Sequence, residues 1–235
     1  MSSNFTLDQI DVDGTVRTAA EDAGAGPTDR RDVLRRGALI GAGAIGATTL
    51  FGSFLSPAEA AIVKGKRSVG NDIAVLKYAL TLEYLEAAFY LQGLRNITFT
   101  DPRLEFFAKV VGQHEKNHVD TLRTVLGRKK ISAPVFDFGN AVRDEKTFAA
   151  TAQVLEDTGV AAYAGQGGNL LQRSVIVAAL SIHSVEARHA AWIRVLNGGF
   201  APGSGDKSPA PQAFDKALTE RQVLNAVGAT GFIKS

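Results

Sequence analysis

Cysteine is absent from the 235 residues. That excludes disulfides, zinc–thiolate sites, a thiol nucleophile and a lipid-bearing anchor cysteine. An excess of charge of one sign is missing too, since 26 Lys and Arg stand against 24 Asp and Glu. A net charge of +2 is too little for the concentrated basic face that phosphate recognition needs, so no nucleic-acid partner is expected. The basic run Arg128-Lys129-Lys130 reads as a solvated helix end. No strand signal rises above noise. What remains is a chain with 45% hydrophobic residues, able to bury a sizeable core, and only four histidines.

The first sixty residues do not read as fold. Residues 1–29 are polar and acidic without a helical or strand period, the composition of a disordered segment. Next, "DRRDVLRRGALIGAGAIGATTLFGSFLSPAEA" leads from basic residues into a Gly/Ala-rich apolar run that closes on Ala58-Glu59-Ala60. This is the order of an export signal: charged region, apolar region, small-residue cleavage site. Arg30-Arg31 followed by Asp32-Val33-Leu34-Arg35 resembles the twin-arginine motif, with Asp29 and Val33 departing from its commonest residues. The expected domains are therefore 1–60, a disordered region plus signal peptide, and 61–235, the folded part. The expected location is periplasmic or cell-envelope, with the twin-arginine machinery as partner. Membrane contact would come only through an uncleaved signal segment, and homo-oligomerisation is left open.

Helical periodicity organises the rest. In "NDIAVLKYALTLEYLEAAFYLQGL" (71–94), Ile73, Leu76, Leu80, Glu83, Ala87, Tyr90 and Leu94 recur at spacings of three and four. A second helix is expected over 102–126, capped by Asp101 with Pro102 at its first position and ended by Gly127. Residues 128–145 hold Pro134, Gly139 and no period, and read as a crossover. Helical pattern resumes in "KTFAATAQVLEDTGVAAYAG" and, after "GQGGN", in "LLQRSVIVAALSIHSVEARHAAWIRVLNGG". "LTERQVLNAVG" reads as a short final helix with Thr219 and Gln222 as a capping box. The fold class is all-α, a four-helix bundle with one long connection and a short C-terminal helix.

The two halves repeat one chemistry. Glu83 precedes Tyr90 by seven residues and Glu156 precedes Tyr163 by seven, each pair on one helix face. The second and fourth helices carry Glu115-x-x-His118 and Glu186-x-x-His189. Four carboxylates in an apolar core would repel one another, at a cost of several kcal/mol. Two divalent cations cancel four glutamates, and two neutral imidazoles complete the coordination without adding charge. One glutamate from each of two helices and Glu-x-x-His from the other two is a dimetal carboxylate pattern. Oxygen and imidazole donors without sulfur suit iron or manganese at least as well as zinc. The ligands read from this pattern are Glu83, Glu115, His118, Glu156, Glu186 and His189, with Glu86 a candidate addition close to the first stripe. Tyr90, Tyr163, His114 and His183 are read as side chains supporting those ligands, and Trp192 as packing.

From about Asp72 to Leu196, and into the tail, the chain resembles the ferritin-like domain of bacterial desiccation-related and stress-associated proteins. The likeness rests on "YALTLEYLEAAFY", "HEKNH", "FDFGNA", "LEDTGVAAYAG" and "HSVEARHAAWIR". It implies a ferritin-like bundle and a dimetal centre, and brings in relatives such as rubrerythrins, ferroxidases and manganese catalases. Lacking cysteine, the chain has no rubredoxin-type electron-transfer module. Its one methionine is Met1, which excludes a haem held between methionines. Three functions follow as expectations: an oxidoreductase that consumes peroxide or oxidises iron, a metal-storage protein, and a structural stress protein in which metal serves stability.

Overall fold

The computed structural model describes residues 62–201 and 208–234. The export motif Arg30-Arg31 and the cleavage residues Ala58 and Ala60 lie outside them. Five α-helices form the described part: α1 (Val69–Asn96), α2 (Pro102–Leu126), α3 (Glu145–Gln166), α4 (Arg173–Leu196) and α5 (Glu220–Thr230). Among these residues no helix is long and apolar enough to cross a membrane.

Local chemistry sets the helix limits. Ser68 caps α1 by accepting from Asn71 N, and Asp101 caps α2 by accepting from Arg103 N with Pro102 behind it. Asp144 does the same for α3 through Thr147 N. At α4 the work falls to Asp72 of α1, fully buried, which accepts from the backbone N–H groups of Leu171 (2.8 Å) and Gln172 (3.0 Å). This long-range cap pins the start of α4 to α1. Thr219 and Gln222 form the expected capping box at α5, and Gly231 ends that helix at φ 67°, where a side chain would be strained.

The helices pair as two hairpins, α1 with α2 and α3 with α4. Two apolar clusters fill the bundle. One is rich in aromatic rings, with Phe89 stacked on Phe148 at 4.8 Å and Tyr90 edge-on to Phe107. The other is aliphatic, built on Leu76, Leu80, Leu122, Leu170 and Ile182. On α2 the gap between the clusters runs from Val111 to Val119, and on α4 from Ile182 to Ile193. Those gaps hold the two Glu-x-x-His motifs.

The crossover carries more structure than its irregular sequence suggests. Phe138, Ala141 and Val142 are buried, the last two in a 3₁₀ turn, Gly139–Val142. Two-residue strands β1 (Val135–Phe136) and β2 (Ile233–Lys234) pair antiparallel, tying the crossover to the C-terminus. No strand was expected, because a two-residue pair has no period to read and exists only through a partner about a hundred residues away.

Candidate metal centre

Each hairpin delivers its glutamates and histidine to the same level of the bundle, because residues three apart on a helix share a face. Glu83, Glu115, Glu156 and Glu186 are each 0% exposed, His189 is 3% and His118 is 9%. The six side chains form two overlapping sets, Glu83, Glu115, His118 and Glu186, and Glu115, Glu156, Glu186 and His189. Within a set the donor atoms lie within 4.8 Å of one another, so each could hold a metal ion, with Glu115 and Glu186 common to both.

Both imidazoles turn Nδ1 inward. His118 Nδ1 lies 3.2 Å from Glu83 Oε2, 3.1 Å from Glu115 Oε2 and 3.1 Å from Glu186 Oε1. His189 Nδ1 lies 3.0 Å from Glu115 Oε1 and 3.2 Å from Glu156 Oε2. Glu115 thus offers one oxygen to each histidine. Although close, most of these contacts are not aligned as hydrogen bonds. Glu115 Oε1, Glu156 Oε2, both Glu186 oxygens and His189 Nδ1 are buried with no hydrogen-bond partner among the described residues. Native interiors rarely leave such atoms orphaned. Oxygen and nitrogen donors that crowd together without bonding one another are arranged as ligands are around cations, and the donor set fits a hard or borderline metal.

Electrostatics points the same way. Burial, reinforced by the neighbouring carboxylates, drives Glu115 and Glu186 well above the usual carboxylate range. For Glu83, burial pushes up, but the hydrogen bond and charge of His118 outweigh it and leave the carboxyl below its ordinary value. Burial opposes charge on His118 as well, yet the close carboxyl groups of Glu115, Glu186 and Glu83 push it up to about 12. Buried carboxyl groups pushed upward in this way are short of the positive charge that a cation would supply.

The tyrosines reach the carboxylates by an exchange between hairpins. Tyr90 Oη on α1 donates to Glu156 Oε1 on α3, and Tyr163 Oη on α3 donates to Glu83 Oε1 on α1 at 2.5 Å. The spacing of seven along each helix shows the two pairs to be equivalent but does not reveal that they cross. His114 supports His189, its Nδ1 lying 2.9 Å from His189 Nε2. His183 makes no such link; its Nδ1 is buried without a hydrogen-bond partner. Glu86 is 3% exposed and stays outside both donor sets. Sequence reasoning passed over Gly159, whose missing side chain gives room to Glu86 and Glu186: a Cβ there would lie 3.3 Å and 3.1 Å from their oxygens. Its signal was available, being the residue three after Glu156 where Glu86 is three after Glu83.

The family model for the ferritin-like domain matches residues 71–199, a span that contains all six side chains. No curated protein matches the chain.

Proposed function

The chain belongs to the ferritin-like domain family, and we propose that it is an exported dimetal protein whose centre, iron or manganese, reacts with oxygen or peroxide. In this reading Glu83 and His118 serve one ion and Glu156 and His189 the other, with Glu115 and Glu186 shared. The observation that carries it is the convergence of buried, unpartnered donor atoms from four helices on two adjoining points.

When bound, the ions would supply Lewis acidity and one-electron steps between divalent and trivalent states. The chain's own residues would set the conditions. The carboxylates balance charge, Tyr90 and Tyr163 orient Glu156 and Glu83, and His114 fixes the ring of His189. Burial of the whole set excludes bulk water. Peroxide disproportionation, two hydrogen peroxide giving two water and one dioxygen, suits an exported protein because it draws on no outside reductant. The export pattern around Arg30-Arg31 supports a route on which the metal is inserted before translocation.

Elemental analysis of the purified protein followed by a peroxide-consumption assay tests the reading. About two iron or manganese per chain with turnover supports it. Bound metal without turnover points instead to a stress protein of the envelope that uses the site for stability, since metal binding is linked to folding. No stoichiometric metal, together with an unchanged melting temperature in Glu115→Ala, removes the dimetal reading.

A further inference from the structure

The two hairpins repeat with nearly the same displacement, constant within each helix pair. Glu83 to Glu156 and Tyr90 to Tyr163 are both 73 residues (156 − 83, 163 − 90), and Glu115 to Glu186 and His118 to His189 are both 71. Moved by 73, Glu86 falls on Gly159. A fifth acid therefore lacks a symmetry mate, and its mate's position is empty of side chain. The two facts are one arrangement in space. A Cβ on Gly159 would meet Glu86 Oε1 at 3.3 Å and Glu186 Oε2 at 3.1 Å, tighter than most side chains tolerate. Glycine on α3 thus clears the space in which the α1 carboxylate faces a shared ligand.

Glu86 has no other visible employment. Its carboxylate is 3% exposed and forms no hydrogen bond or ion pair among the described residues. Were it only packing, an apolar side chain would fill the space without the cost of burying an ionisable group. The carboxylates whose charge acts on it, Glu186, Glu156, Glu115 and Glu83, are all assigned to the metals, while the hydroxyls of Tyr78, Tyr90 and Tyr163 feel its charge in turn. We propose that Glu86 is a seventh metal-binding side chain, contributed by α1 alone, for which Gly159 leaves the room. The inference rests on the dimetal reading. It makes the centre unsymmetrical, with five carboxylates and two imidazoles, and gives it one more negative charge than two divalent ions cancel. Glu86 enters the donor set by rotation about its own side-chain torsions, since it stands outside both sets as they lie.

The test is titration of the full chain, stripped of metal by chelation, with manganese(II) alone. Wild type is expected to take two ions. Glu86→Gln should take two with one step weakened about tenfold or more, the scale of losing a supporting contact or ligand. Gly159→Ala keeps the acid but fills its space, and should weaken the same step. Metal-free Glu86→Gln should melt no lower than wild type, because an amide replaces an acid without a partner. Wild-type affinities in both variants overturn the proposal while leaving the dimetal reading intact. A metal-free Glu86→Gln protein that unfolds, with Gly159→Ala binding as wild type, overturns it as well. A wild type that binds no manganese or iron removes both readings together.

Discussion

His114 and His189 meet nitrogen to nitrogen, Nδ1 to Nε2 at 2.9 Å, with their rings nearly parallel and 5.2 Å apart. Burial, then the neighbouring His189, holds His114 below the usual histidine range and so in its neutral form. With a metal on His189 Nδ1, its Nε2 would carry the proton and donate to His114 Nδ1, which fixes the ring. Residue 185, the counterpart of 114 at a displacement of 71, is Val185, so His118 gains no equivalent support from α4. The two ions should therefore bind unequally. His114→Ala is expected to weaken one of two manganese-binding steps about tenfold or more. His114→Gln, which keeps an acceptor, should recover part of the loss. Equal, unchanged steps in both variants, read by isothermal titration, would contradict this role.

The crossed tyrosines make a second prediction. Tyr90→Phe and Tyr163→Phe each leave a buried carboxylate oxygen without its donor, at a cost of about 2 kcal/mol in urea unfolding of the metal-free protein. Tyr90, 0% exposed, should cost more than the partly buried Tyr163. Both losses should shrink in the metal-loaded protein, where a cation takes up the carboxylate charge.

The pH dependence has a definite sign. In metal-free protein burial holds Glu115 and Glu186 well above the usual carboxylate range, and His118 is pushed up to about 12 against burial, by its contacts with Glu115, Glu186 and the charged Glu83. Groups with raised folded-state values stabilise fully below their unfolded values, about 4.5 for the acids and 6.5 for histidine, and lose that contribution as pH rises. Metal-free protein should therefore melt lower at about pH 8.5 than at about pH 6.5. Metal binding must displace these protons, so apparent manganese affinity should rise over the same interval. Calorimetry in buffers of different ionisation enthalpy should register proton release. Proton uptake, or an affinity that falls with pH, would contradict the electrostatics.

How far the sequence foretold this depends on which geometry a residue obeys. Glu115 with His118 and Glu186 with His189 were legible, since a spacing of three on a helix fixes a shared face. The Asp101–Pro102 start of α2 and the Thr219–Gln222 box were legible for the same local reason. The offset of seven to a tyrosine pairs Glu83 with Glu156, and Glu83 lies beside His118. The offset was a marker of repeat symmetry rather than of contact, because Tyr90 bonds Glu156. Relations between helices were not legible: the tyrosine exchange, the His114–His189 pair and Asp72 capping α4 depend on how the hairpins face each other. Periodicity on one helix carries no information about that.

The C-terminal segment gives a test of packing rather than chemistry. Leu218 N donates to Ala161 O at 3.0 Å, so the strand of chain entering α5 runs along α3 as an added layer. That approach is open only because residue 165 is glycine. A Cβ there would lie 1.8 Å from Leu218 O and 2.7 Å from Leu218 C, both backbone atoms that no rotamer change can move aside. Gly165→Ala must displace the segment, and with it Val223 and Val227, which are buried in the aromatic cluster. The expected loss is about 3 kcal/mol in urea unfolding, with faster proteolysis between residues 208 and 219. Gly168→Ala, where no atom lies within 4 Å of the added Cβ, is the control and should change stability by less than about 0.5 kcal/mol. Should Gly165→Ala match that control, the close approach of Leu218 to α3 cannot be what holds α5 in place, and its attachment would rest on Val223, Val227 and the β1–β2 pair alone.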